Sequence, residues 1–371
     1  MLQQCTHLDK LTMRDCSDIR FLPEVNVPNT LKQLNIKGCK VLDYSKILLY
    51  TALESLEIRD GKCHPLESSF PLGSFPLLKR VSITECEDLK FIGALGGAQR
   101  QHPACLNSLS IVCCYNLISF RIEDELCVTN LTRLGLHGCR SLKSLPEQMN
   151  SVFPSLVYLN IWNCPGIESV PKEGLPSKLK GFYIGGSEKL MGSMISRRRE
   201  WSLQTLPSLT SFSFGYTELE MECFPDEHMF PSSLTSLCIE GLRNLERLEW
   251  KGLQHLTSLS KLSIIYCPKL HSMPAKMLLP SLSLLWIAGC PLLKEHWQKE
   301  KGRDWPNISH IPIIQIDHQC SCPTQLLRWS VVRGPSDYII ILSRPASRDR
   351  RDCSRCLLAV LKEGCGIALR V

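Results

Sequence analysis

The chain of 371 residues contains no run of eighteen or more apolar residues, the length a helix needs to cross a bilayer, so no transmembrane segment is expected. Its first stretch, MLQQCTHLDKLTMRDC, has no basic segment followed by an apolar one, and no secretion signal is expected there. Both absences make a cytoplasmic protein the expectation. Catalytic signatures are missing as well: there is no GxxxxGK(S/T) loop to cradle phosphates, no HExxH pair to hold zinc and no GxSxG nucleophile elbow. The ten histidines are scattered. An enzyme needs a nucleophile, a base and carboxylates converging on one pocket, so no catalytic residue, no cofactor site and no metal site is expected.

Basic residues exceed acidic ones by seven, and residues 319–371 alone hold nine Lys or Arg against four Asp or Glu. A surplus carried by a tail, without a patterned basic groove or an aromatic platform, predicts no nucleic-acid partner. Arg197, Arg198 and Arg199 form a short basic run, read as a solvated loop surface. Cysteine, by contrast, is plentiful. Twenty cysteines would suggest a disulfide framework in a short secreted chain. Here eight of them, Cys16, Cys39, Cys86, Cys114, Cys139, Cys164, Cys267 and Cys290, occupy one position of a recurring pattern. Packing sets their spacing, and reduced thiols fit the cytosol. The pairs Cys320/Cys322 and Cys353/Cys356 make a poor tetrahedral zinc site, because CxC is a weak first half.

The recurring pattern is LxxLxIxxCxxLxxLP, seen most fully in LVYLNIWNCPGIESVP from Leu156 to Pro171. Its first leucine returns at Leu8, Leu31, Leu53, Leu78, Leu106, Leu131, Leu156, Leu179, Leu209, Leu234, Leu259 and Leu282, at intervals of 22 to 30 residues. A period of that length is the leucine-rich-repeat signature, in which a short strand and a return segment bury their apolar faces only by stacking on neighbours. The expected fold is an α/β leucine-rich-repeat solenoid, a horseshoe of about twelve repeats with parallel strands on the concave face. Prolines such as Pro146, Pro171 and Pro274 sit where a convex helix would run, so mostly irregular or 3₁₀ structure is expected outside. The unit holding MGSMISRRREWSLQTL is the longest, and that stretch reads as a loop insertion. Residues 1–317 are expected to form the repeat domain and 318–371 a basic, poorly ordered tail. No cap precedes the first strand; a solenoid end needs cover, so further chain or a partner is expected there.

Strand alternation sends the third, fifth and seventh residues of each LxxLxIxxC unit to the concave surface. That surface is expected to run from basic (Lys10, Arg14, Lys37, Arg59, Arg80), through aromatic, to apolar (Ile265, Leu284, Trp286). The middle group, Arg133, His137, Tyr158, Asn160, Trp162 and Tyr183, is the candidate protein-binding patch. Exposed Trp, Tyr and Arg dominate binding energy at protein interfaces because they combine large contact area, few rotatable bonds and a polar handle.

The segments EWSLQTLPSLTSFSF, FPSSLTSLCIEGLRNLERLEWKGLQHLTSLSKLSIIYCPKLHSMP and LPSLSLLWIAGCPLLKEHWQKEKGRDWPNISHIPIIQID resemble the C-terminal repeats and closing segment of plant disease-resistance proteins of the coiled-coil, nucleotide-binding, leucine-rich-repeat type. CPLLKE followed by EKGRDWPNISHIP is the most specific part. The resemblance covers about residues 8–317. It implies a recognition and regulatory region of an intracellular immune receptor, with two kinds of partner: a pathogen effector or a guarded host protein, and a nucleotide-binding module restrained in cis or in trans. Two rivals stand beside it. One is the substrate-binding part of an F-box-type ubiquitin-ligase adaptor, whose repeats share the cysteine but continue into a helix where CPGIESVP, CPKLHSMP and CRSLKSLP place a proline. The other is a truncated fragment that does not signal.

Overall fold

The computed structural model describes residues 8–22, 30–60, 69–71, 75–93, 105–121, 128–196, 203–227, 229–271, 280–297 and 301–317, with the backbone of 319–321, 332–333, 338–340 and 360–362. Each repeat contributes one strand to a continuous ladder. The strands are β1 (Lys10–Arg14), β2 (Gln33–Lys37), β3 (Ser55–Arg59), β4 (Arg80–Thr84), β5 (Ser108–Val112), β6 (Arg133–His137), β7 (Tyr158–Trp162), β8 (Gly181–Gly185), β9 (Ser211–Thr217), β10 (Ser236–Leu242), β11 (Lys261–Ile265), β12 (Leu284–Ala288) and β13 (Ile313–Ile316). They pair in chain order, all parallel, and β13 also takes residues 319–321 as an antiparallel neighbour. The chain is thus a leucine-rich-repeat solenoid. Equal positions of successive units lie side by side: Arg133, Tyr158, Gly181 and Ser211 form one row, and His137, Trp162, Gly185 and Gly215 another.

The alternation that makes each strand also makes the core. Leu156, Leu159, Ile161 and Ile167 are fully buried, and the strand counterparts of the first three are buried in every unit from Leu31 to Leu282, while Leu8 and Leu11 of the first unit are half-buried. The cysteine position is equally dry at Cys39, Cys86, Cys114, Cys139, Cys164, Cys267 and Cys290. Every repeat cysteine places its thiol against the carbonyl two residues back, as Cys164 does to Trp162 at 3.4 Å and Cys139 to His137 at 3.6 Å. Several also reach the preceding repeat, Cys164 to the carbonyl of Leu136 at 3.5 Å and Cys139 to that of Ile111 at 3.8 Å. The neighbouring Cys164 thiol, and then burial, push the Cys139 thiol up, so it stays a protonated donor. The eighth repeat has Ser187 at this place; its hydroxyl donates to the Gly185 carbonyl at 3.3 Å and accepts the Cys164 amide at 3.1 Å. Cys139→Ser is therefore expected to cost about 1 kcal/mol or less in a denaturant titration. A loss above about 2 kcal/mol would mean that thiol volume, not hydrogen bonding, holds the turn.

The residue before the cysteine position turns the chain out of the sheet with φ near +50° to +66° in all twelve repeats: Asp15, Gly38, Asp60, Glu85, Cys113, Gly138, Asn163, Gly186, Tyr216, Gly241, Tyr266 and Gly289. This is left-handed backbone, which side chains adopt only under constraint. The constraint is visible in the amides, because Asn163 N–H reaches the Gly185 carbonyl and Gly138 N–H the Trp162 carbonyl of the following repeat. From Cys113 onward the position alternates, side chain then glycine. Each side chain lies over the next glycine: a Cβ on Gly241 would sit 2.9 Å from the Tyr216 ring, and one on Gly289 2.5 Å from the Tyr266 ring.

Outside the ladder the return segment after Cys164 is turns and extended chain without a helix, and the one after Cys139 is extended through Pro146 and then forms a single helical turn over Met149–Val152. The convex side nevertheless has its own order. Residues Ser69–Pro71, Phe91–Gly93 and Ser119–Arg121 form a small parallel sheet, and Cys223–Phe224 pairs with Arg247–Leu248. The start of the expected loop insertion belongs to a helix over Glu188–Ser196, with Leu190, Met191 and Met194 buried, and Leu203–Thr205 near its end is a 3₁₀ turn. Their spacing puts them on one helical face against the core. That long unit also brings Phe182, Phe212, Phe214, Phe224 and Phe230 together, with ring centroids 4.9 to 6.3 Å apart along the chain of contacts. Arg197, Arg198, Arg199, Cys322, Cys353 and Cys356 lie outside the described residues, as does most of 318–371.

Candidate protein-binding surface

The predicted patch is contiguous because β6, β7 and β8 are neighbours in exact register. Arg133 is exposed at the N-terminal end of β6, and its guanidinium lies 5.5 Å from the ring centre of Tyr158 on β7, an arrangement in which the ring quadrupole attracts the cation. Tyr158, Asn160 and Trp162 alternate on the concave face of β7, each half-buried. The Asn160 Oδ1 is covered and makes no hydrogen bond among the described residues. His137 lies beside Trp162 on β6, half-buried. Tyr183, on β8 beside Asn160, donates its hydroxyl to Ser211 Oγ at 3.3 Å, and burial pushes its phenol up.

Two glycines shape this patch. A Cβ on Gly181 would come within 2.7 Å of the Tyr158 ring, and a Cβ on Gly185 within 2.6 Å of Trp162. Both rings therefore lie across β8 instead of standing up from their own strand. Trp162 reaches over Gly185 to meet Tyr216 edge to face, with centroids 5.1 Å apart. Edge-to-face packing suits the opposite charges of ring edge and ring face. The result is an aromatic surface laid flat on the sheet from Arg133 to Tyr216, held by stacking and by missing side chains.

No family model matches the chain. A disease resistance protein of Arabidopsis thaliana is 33% identical over 315 residues, covering 84% of this chain and 21% of that protein. Disease resistance protein RPP4 of the same plant is 26% identical over 72% of this chain and 21% of its own length, and RPS4B is 26% identical over 78% and 24%. The chain is a leucine-rich-repeat relative of plant disease resistance proteins. It spans between 21% and 24% of the length of these relatives. Among solved structures, the circular leucine-rich-repeat protein CroV588 has a TM-score of 0.43 at 15% identity over 74% of this chain and 46% of that one. An internalin from Listeria monocytogenes has 0.39 at 15% over 84% and 81%.

On this disease-resistance relative the apolar end of the concave map needs correction. Ile265 faces the expected side but is buried, flanked in register by Glu240 and Ala288. Leu284 and Trp286 are half-buried, and the Trp286 indole N–H is covered without a hydrogen-bond acceptor. What the pattern missed is a second set of side chains beside the patch. Tyr216 and Tyr266 occupy the left-handed position, which the repeat template treats as a turn, yet both are strongly exposed. Glu240, at the seventh position of its repeat, receives the Tyr216 hydroxyl at 2.6 Å on Oε1. Burial pushes its carboxyl up from the ordinary range, partly offset by that hydrogen bond, and burial also pushes the Cys238 thiol up to about 12. Among the described residues there is no cluster of three or more potential metal ligands, and no helix is long and apolar enough to cross a membrane.

Proposed function

We propose that this chain is the protein-recognition region of a plant immune receptor, working in the cytoplasm. Its concave face receives a pathogen effector or a guarded host protein, and the solenoid restrains a nucleotide-binding module in cis or in trans. The reading is one of binding and not catalysis, with no nucleic acid as partner, and residues 318–371 form a tail outside the repeats, joined to the ladder through the antiparallel strand 319–321. The observation that carries it is the flat aromatic surface of Arg133, Tyr158, Trp162 and Tyr183 on adjacent strands, kept low by Gly181 and Gly185. Large rigid side chains already packed against the sheet lose little freedom when a partner covers them, which is what makes such residues strong anchors. The disease-resistance relatives supply the biological setting. The extended chain that directly follows Cys139 and Cys164, where an adaptor repeat continues into a helix, speaks against the ubiquitin-ligase adaptor.

Affinity capture from plant tissue with the tagged chain, beside a Tyr158→Ala/Trp162→Ala variant, tests this. Recovery of a nucleotide-binding receptor or a microbial protein, lost in the variant at unchanged melting temperature, is the expected result. Hot-spot truncations of this kind cost about 2 kcal/mol or more each. Recovery of cullin adaptors instead, or of chaperones alone, would overturn the reading.

A further inference from the structure

Beyond the aromatic patch, the concave face holds a carboxylate with no cation. Glu240 projects from β10 between Gly215 on β9 and Ile265 on β11, neither of which carries a charge. One of its oxygens takes the Tyr216 hydroxyl, and no Lys, Arg or His among the described residues forms an ion pair with it. Exposed Tyr216 and Tyr266 stand on either side, two repeats apart, with the Tyr216 ring lying over Gly241 beside Glu240 and the Tyr266 ring over Gly289. Trp162 buttresses Tyr216 from the far side. The first six strands contrast sharply: their concave positions carry Lys10, Arg14, Lys37, Arg59, Arg80 and Arg133, against Glu57 alone, which Arg59 meets at 3.5 Å.

We propose that the notch between Tyr216 and Tyr266 is a seat for an arginine side chain of the protein partner, its guanidinium stacking on the tyrosines and donating to Glu240. The inference rests on the reading of the concave face as a docking surface and names the chemistry one part of it recognises. A partly desolvated carboxylate framed by aromatic faces fits guanidinium better than ammonium, because the planar fork stacks on rings, gives up its hydration more readily and donates two parallel hydrogen bonds. Burial holds the empty carboxyl above its ordinary range, and an arriving cation removes that penalty. An acidic partner segment is excluded from this spot by the same charge, which gives the surface polarity: acidic groups toward β1 to β6, a basic anchor at β10.

The test uses two small probes, N-acetyl-arginine amide and its neutral isostere N-acetyl-citrulline amide, titrated against the full chain by saturation-transfer NMR. The arginine probe is expected to bind at least tenfold more tightly than the citrulline probe. Glu240→Gln, which keeps the shape and the acceptor for Tyr216, is expected to abolish that difference at unchanged melting temperature, and Tyr266→Ala to weaken arginine binding severalfold. Equal binding of the two probes, or a preference for arginine that survives in Glu240→Gln, overturns the proposal. If capture through the Tyr158 and Trp162 patch still succeeds when this test fails, the recognition surface stands and the arginine seat alone is discarded.

Discussion

Phe212→Ala is expected to destabilise the solenoid by about 3 to 5 kcal/mol, the range for emptying a phenylalanine site in a packed core. Phe212 is buried on β9 and is the shared member of three ring contacts, to Phe182 at 5.7 Å, Phe230 at 5.3 Å and Phe214 at 6.3 Å. Those neighbours are rings from three different segments, so no single side chain can move in to fill the space. A solenoid transmits such damage only to adjacent repeats. Hydrogen exchange should therefore show lost protection in β8 to β10 and native protection in β2 to β4. Uniform loss along the ladder would mean that the repeats unfold as one cooperative unit.

Gly215→Ala is expected to be nearly as damaging, by the opposite physics. The added Cβ would lie 2.0 Å from the Glu240 carbonyl oxygen, 2.8 Å from its carbon and 3.1 Å from its Cα. All three are backbone atoms of the next strand, so no rotamer change relieves the clash, whereas at Gly185 the two nearest contacts are with a movable Trp162 ring and the backbone oxygen of Gly215 lies farther off at 3.0 Å. Overpacking usually costs 1 to 3 kcal/mol, and a rigid obstacle puts this case at about 3 kcal/mol or more. In exchange rates that is more than a hundredfold loss of protection in β9 and β10. Protection within threefold of the native chain would show that the two strands separate without penalty.

The sequence was most informative where one residue type answers to one constraint. Leucines at the first and fourth positions and cysteine at the ninth have a single place to go in a stacked repeat, and the units from Leu31 onward put them there, while Leu8, Leu11 and Cys16 of the first unit are half-buried. The lateral order of Arg133, Tyr158 and Tyr183 was equally legible, since parallel strands of equal phase fix the register. Two kinds of feature were not. Side-chain direction along a strand says nothing about the room above it, so Ile265 looked exposed and is buried. Conversely Tyr216 and Tyr266 sit at a turn position that the leucine and cysteine pattern leaves open, although they flank the half-buried carboxylate of Glu240. The Glu188–Ser196 helix was hidden by the length of its unit, which drew attention to the arginines after it and away from the Leu190, Met191 and Met194 spacing.

The alternation of side chain and glycine at the left-handed position, unbroken from Cys113 to Gly289, makes the interchangeable module of this stretch two repeats long. Loss of the tenth repeat alone would bring Tyr216 against Tyr266 where each now has a glycine to lie on. Loss or duplication of a pair leaves every ring its bare neighbour. Deletion of the tenth repeat alone is therefore expected to cost more stability than deletion of the ninth and tenth together.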